Sequence, residues 1–196
     1  MSKKKIVSLC LALALMVTLC VGGTLAYFTD TDDATNTFTV GNVDITLTEP
    51  NWTSTGSEDA PEVYPGEALA KDPTVTNNGA NPCFVRIKVE GLNCLGNAGM
   101  ITYRTDYVTD KLGDNWVKGT DGYFYYNKVL EVGATTDALF DQIVMPTGLT
   151  NGDATTAYNV NVTAEAVQAQ GAKASWSDVQ SMTVDEIAAW FITCGL

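Results

Sequence analysis

Hydrophobic and polar positions divide the chain into two regimes. Ile6 to Val21 is an uncharged apolar run behind Lys3, Lys4 and Lys5, and Gly22-Gly23 then break it. Thr24-Leu25-Ala26 follows, placing small residues at −3 and −1 of a cleavage point. This is the layout of an export signal. The run falls short of the ~20 residues a helix needs to cross a bilayer, and no positive cluster follows it. The reading is a signal peptide over residues 1–26, cut between Ala26 and Tyr27, with one domain over residues 27–196. Membrane contact is expected only through the uncleaved signal.

Beyond that point a period of two dominates, the mark of half-buried strands. Thr35 to Thr48 alternates polar and apolar residues. Phe38 and Val40 share one parity; Val43, Ile45 and Leu47 share the other. The switch at Gly41-Asn42 predicts a bulge or tight bend that keeps both sets on one face. Asn51 to Glu62 is polar and punctuated by Gly, Ser and Pro, so it reads as loop. Thr74-Val75-Thr76 reads as a short strand ending in a hairpin turn at Asn77-Asn78-Gly79. Phe84 to Glu90 is the clearest strand, with Val85, Ile87 and Val89 inward and Arg86, Lys88 and Glu90 outward. Leu92 to Thr109 fits either a short helix or an irregular excursion. Gly122 to Leu130 is apolar on both parities, as in a strand covered on both sides. Tyr158 to Val167 is another long strand. Thr183-Val184-Asp185-Glu186 is a capping box ahead of Ile187, Ala188, Trp190 and Phe191, so the chain closes in an amphipathic helix. The expectation is a mainly β, two-sheet antiparallel sandwich with short helices, one of them at the C-terminus.

Charge narrows the partners. The chain holds 11 Lys+Arg against 23 Asp+Glu, and loss of the three signal lysines leaves a net charge of −15. No basic residue occurs between Ile6 and Ala70. Such a surface repels phosphate backbones, so no nucleic-acid partner is expected. Cys10 and Cys20 leave with the signal; Leu19 before Cys20 is too large for a lipobox. Cys83, Cys94 and Cys194 remain, as one bridge plus a thiol or as three thiols.

Absence decides more than any motif, because the chain contains no histidine. An HExxH zinc site, a Ser-His-Asp triad and a Cys-His dyad each need imidazole. No cofactor motif is present, and the expectation is a protein that is not an enzyme. Asp30, Asp32 and Asp33 read as solvated acids; a calcium site there lacks the glycine and distal glutamate of an EF-hand loop. Trp52, Trp116, Trp176 and Trp190 read as scattered core or rim residues rather than a sugar platform. Arg86 and Lys88 read most simply as the solvent face of a strand, or else as a receptor for an acidic segment of a neighbouring subunit.

Several segments stand in a fixed order: GGT-x-AYF-x-D and TFTVGNVDITLTE between Gly22 and Glu49, Tyr64-Pro65-Gly66, Lys71 to Gly79, Cys83 to Val89, and Val162 to Gly171. That order resembles the TasA/camelysin family of Gram-positive bacteria. The resemblance implies a jelly roll, cleavage by a dedicated SipW-type signal peptidase, and a secreted or cell-surface location. It also implies a subunit or accessory of extracellular biofilm-matrix fibres, joined head to tail to its own copies and to other matrix proteins. Assembly would proceed by strand donation, which satisfies edge amides and buries alternate side chains. The donor-strand face is then Phe38, Val40, Val43, Ile45 and Leu47; the competing reading makes the same segment the first strand of its own sandwich. Two other functions stay open: a camelysin-like secreted peptidase, and a surface binding module that does not polymerise.

Overall fold

The computed structural model of the chain describes residues 2–8, 10–11, 42–153 and 158–196. The chain divides into two units, Met1–Thr39 and Val40–Leu196. In the first, residues 3–8 are helical. Among the described residues no helix is long and apolar enough to cross a membrane. The cleavage pair Ala26–Tyr27, the acids Asp30, Asp32 and Asp33, the bend at Gly41 and the side chains of Phe38 and Val40 lie outside the described residues.

The second unit is mainly β, as the alternation predicts, and its strands form three antiparallel sheets. The strands are β1 (Ile45–Thr48), β2 (Ala68–Ala70), β3 (Thr74–Asn77), β4 (Cys83–Glu90), β5 (Thr102–Thr105), β6 (Val108–Thr109), β7 (Trp116–Lys118), β8 (Tyr123–Tyr126), β9 (Gln142–Val144) and β10 (Asn161–Gln168). Their orders are β1-β3, β10-β4-β8-β7 and β2-β9-β5-β6. The longest ladder joins β10 to β4, from Asn161 opposite Glu90 to Gln168 opposite Cys83. Leu69, Val75, Val85, Ile87, Tyr103, Trp116, Phe124 and Ile143 bring side chains from all three sheets into one buried core. Face-to-face packing of this kind is what a sandwich core requires.

A second core lies on the other face of the β10-β4-β8-β7 sheet. Phe84, Tyr125 and Val167 meet Val179, Met182, Ile187 and Phe191 there. The last four belong to two C-terminal helices and their link, α1 (Trp176–Gln180) and α2 (Val184–Thr193). The predicted capping box is present: the Glu186 amide donates to the Thr183 hydroxyl at 3.4 Å, and the Thr183 amide donates to the Glu186 carboxylate at 2.9 Å. Phe124 and Tyr125 point to opposite cores, which explains why β8 is apolar on both parities.

Three local expectations need correction. Asn51 to Glu62 is not open loop but a succession of helical turns, Trp52–Gly56, Ser57–Asp59 and Ala60–Glu62. Asp72 holds its start, since its carboxylate accepts the amides of Asn51 and Trp52 at 2.8 and 3.3 Å. Gly56 fits because a Cβ there would lie 2.1 Å from the Ala70 carbonyl oxygen. The turn after β3 does not form a hairpin with the next strand, because β3 pairs back with β1. Asn77 is buried instead, donating to the carbonyls of Asn81 and Leu130 and accepting the Gly79 amide. Finally, Arg86 does not face solvent: it is 4% exposed, beneath α2.

Candidate assembly surface

β1 and β10 are both edge strands. Among the described residues, β1 has a ladder partner only in β3, and β10 only in β4. The two approach each other without pairing. Between them opens a groove of about 720 Å³, lined by Leu47, Thr48, Glu49, Lys71, Val160 and Val162 among others. Leu47, Val160 and Val162 are half-buried and rest against the main core. The groove therefore sets an apolar floor beside strand edges that have no second ladder partner among the described residues.

Val43, Ile45 and Leu47 belong to this chain's own sandwich. Ile45 and Leu47 sit opposite Asn77 and Val75 in the β1–β3 ladder, and all three apolar side chains pack against the core. Of the donor-strand face read from the sequence, these three side chains pack against the core, and Leu47 also lines the groove. Thr46 and Thr48 alternate outward, as period two demands.

The polar feature of the groove is an ion pair that the sequence alone did not single out. Lys71 is the first cation after Lys3, Lys4 and Lys5. Its side chain is only 5% exposed, and Nζ lies 2.9 Å from Glu49 Oε2. Nζ also stands 4.8 Å from the centre of the Trp52 ring. Glu49 follows β1 directly and Lys71 follows β2 directly, so two sheets deliver the pair. The second carboxylate oxygen, Glu49 Oε1, is buried with no hydrogen-bond partner among the described residues. On the far side of Lys71 and Trp52 lies a second cavity of about 790 Å³, walled by Leu69, Ile101, Ile143 and Met145.

Arg86 forms the other buried pair. Its guanidinium carbon lies 3.9 Å from the Tyr123 ring centre and 4.5 Å from that of Phe191. Nη2 is 2.6 Å from Glu165 Oε2, and Nη1 donates to the Tyr125 hydroxyl at 3.3 Å. That hydroxyl donates in turn to Asp121 at 2.6 Å. Burial opposes the Arg86 charge, yet hydrogen bonds to Tyr125 and Glu165 outweigh it and raise the pKa. Lys88, two residues on, stays near the surface and pairs with Glu90 at 2.8 Å.

Cys83, Cys94 and Cys194 are unbridged thiols. Burial pushes the Cys83 thiol up to about 12 and raises that of half-buried Cys94. Trp116 lies in the main core and Trp190 packs against the second, their indole N–H groups bound to the carbonyls of Asp137 and Gln168. These two tryptophans are structural.

Residues 1–90 match the family model described as camelysin metallo-endopeptidase. No curated protein matches the chain. The matched stretch carries the apolar run Ile6 to Val21, β1, the Glu49–Lys71 pair and β4; the resembling segment Val162 to Gly171 lies outside it. A peptidase metal needs several converging donors, commonly histidines. The chain has no histidine, and among the described residues no three Cys, Asp or Glu side chains cluster to hold an ion. The residues described do not fit such a metal. Over its first 90 residues, just under half of its length, the chain is similar to the camelysin family.

Proposed function

We infer that this protein is a secreted structural subunit, assembled into extracellular matrix fibres by strand donation between its own copies. The observation that carries this reading is the pair of edge strands, β1 and β10, each with one ladder partner among the described residues and both bordering an apolar groove. A strand added along one of these edges, over the groove, would satisfy its row of amides and bury alternate side chains on the apolar floor. Since Val43, Ile45 and Leu47 are engaged in their own sandwich, the donated segment is the stretch upstream of β1, with Phe38 and Val40 as its apolar teeth. Passing one segment to the next subunit is a head-to-tail contact that does not close, and such contacts propagate as filaments. A net charge of −15 after removal of the signal keeps the exported subunit soluble before assembly. A SipW-type signal peptidase would free the segment at Ala26–Tyr27, tying assembly to export. Other matrix proteins at the fibre ends are the remaining partners.

Pelleting and negative-stain microscopy of mature protein beside uncleaved precursor test this. Filaments from the mature form alone are expected. Mature protein that stays monomeric over a wide concentration range would instead fit a surface module that does not polymerise.

The second reading is a secreted peptidase, favoured by the description of the matched family. Casein hydrolysis by pure protein, abolished by chelator and restored by zinc, would establish it. No such turnover is expected.

A further inference from the structure

Resting on the strand-donation reading, we propose that Glu49 sets the register of the inserted strand by accepting one of its backbone amides. The occupant is residues 27–41 of a second copy. That stretch immediately precedes the first described residue of the sandwich, Asn42, and its end, from Thr35 to Val40, alternates polar and apolar residues as β1 does.

Three observations converge on Glu49. It lines the groove beside Leu47, Val160 and Val162. Its Oε2 is held by Lys71 at 2.9 Å, which fixes the carboxylate in place. Its Oε1 is buried and has no partner. Such an acceptor is costly to leave unmade and strong once filled, because hydrogen bonds to charged groups exceed neutral ones. Residues 27–41 contain no lysine or arginine, so no side-chain cation can fill the place. An extended strand, by contrast, brings an N–H at every second residue along each edge.

A fixed polar contact in an otherwise apolar groove also supplies specificity. Slipping a strand by one residue turns every side chain to the other face. A slip here would also carry the amide away from Oε1 and leave both groups unsatisfied. Lys71 is the positioning residue: its buried stem and the Trp52 ring hold the ammonium, and the ammonium holds the carboxylate.

Two paired variants of the mature full-length chain test the assignment. Glu49→Leu with Lys71→Met removes the ion pair and the acceptor together, whereas Glu49→Gln with Lys71→Met keeps a neutral carbonyl in place. The readouts are the critical concentration for filament growth and the thermal midpoint of the monomer. The expected result is a rise of tenfold or more in critical concentration for the Leu/Met chain, with a near-native monomer. The Gln/Met chain should stay within a few-fold of wild type. Equal critical concentrations for all three chains overturn the role of Glu49 and leave strand donation standing. Wild-type protein that never assembles overturns strand donation itself, and the proposal with it. Should the Leu/Met chain fail to fold, wild-type filaments grown from mixed 13C-labelled and 15N-labelled copies decide the matter by solid-state NMR. A contact between the Glu49 carboxyl carbon of one copy and an amide nitrogen in residues 27–41 of another is expected. Its absence in well-ordered filaments refutes the assignment.

Discussion

Two buried ion pairs in this molecule share one recipe and differ in completeness. Arg86 stands between Tyr123 and Phe191, bound to Glu165 and Tyr125. Lys71 stands beside Trp52, bound to Glu49. Around Arg86 the chain supplies its own cover, since α2 closes over the sheet and the hydroxyl relay ends on Asp121. Around Lys71 the cover stops short: among the described residues the neighbouring strand edges lack a second partner and one carboxylate oxygen has none. A desolvated pair is tolerated only when its remaining hydrogen-bonding capacity is met. The first site is finished within one subunit; under strand donation, a second subunit finishes the other.

The comparison breaks most readily at Arg86. Arg86→Ala strips a buried pair of one partner and uncovers two rings, a change worth about 3–5 kcal/mol for a buried ion pair. Urea unfolding of the monomer should register that loss, and a change below about 1 kcal/mol would mean that α2 is not docked over Arg86.

Val43→Asp with Ile45→Asp comes next. These side chains pack against the subunit's own core, so two carboxylates there should destabilise the monomer by about 2–4 kcal/mol, given the penalty for unpaired polar burial. Thr46→Asp, on the outward side of β1, should have much less effect on stability. A double mutant that stays fully stable and only loses filaments would show that β1 itself is the donated strand.

Leu47→Asn or Val162→Asn should do the reverse, costing the monomer about 1 kcal/mol or less at a half-buried site while raising the critical concentration several-fold. Loss of stability without loss of assembly would place the interface elsewhere.

The smallest effects are chemical. Ellman's reagent should reach exposed Cys194 first, Cys94 slowly, and Cys83 only on unfolding, because burial keeps the Cys83 thiol protonated up to about 12. The Glu186 carboxylate is lowered from 4.5 to about 2 by Lys173 and by the Thr183 amide and hydroxyl. Its contribution to the α2 cap is thus fully present above pH 4.5 and fades as the pH falls through about 2. Amide exchange in the first turn of α2 should follow that midpoint; a midpoint near 4.5 would mean the capping box is open in solution.

Much of the fold was legible because period two and period 3.6 are local signals. β4, β8, β10 and the capped C-terminal helix lie close to where the pattern puts them. The errors arose where distant residues decide. Arg86 alternates with Val85 and Ile87 and so reads as solvent-facing; only Phe84 on the same parity hints at a second core on that side. β3 is followed by good turn residues, yet its partner lies upstream in β1, and a short turn signal cannot encode that choice. The helical turns after Asn51 depend on Asp72, far along the chain. The sequence grouped Phe38, Val40, Val43, Ile45 and Leu47 as one face, and the structure packs the last three against the subunit's own core. The Glu49–Lys71 pair escaped notice because its partners approach from separate sheets. One local clue existed, since Lys71 is the first cation in a long acidic stretch.

The central claim is that the segment ahead of β1 completes the sandwich of a neighbouring subunit. Electron microscopy of the mature protein, with and without residues 27–41, tests it most directly. The account predicts filaments from the intact chain. It predicts folded monomers from the shortened chain, and a shift of those monomers to a one-to-one complex when the free 27–41 peptide is added. Filaments of unchanged form from the shortened chain would contradict it.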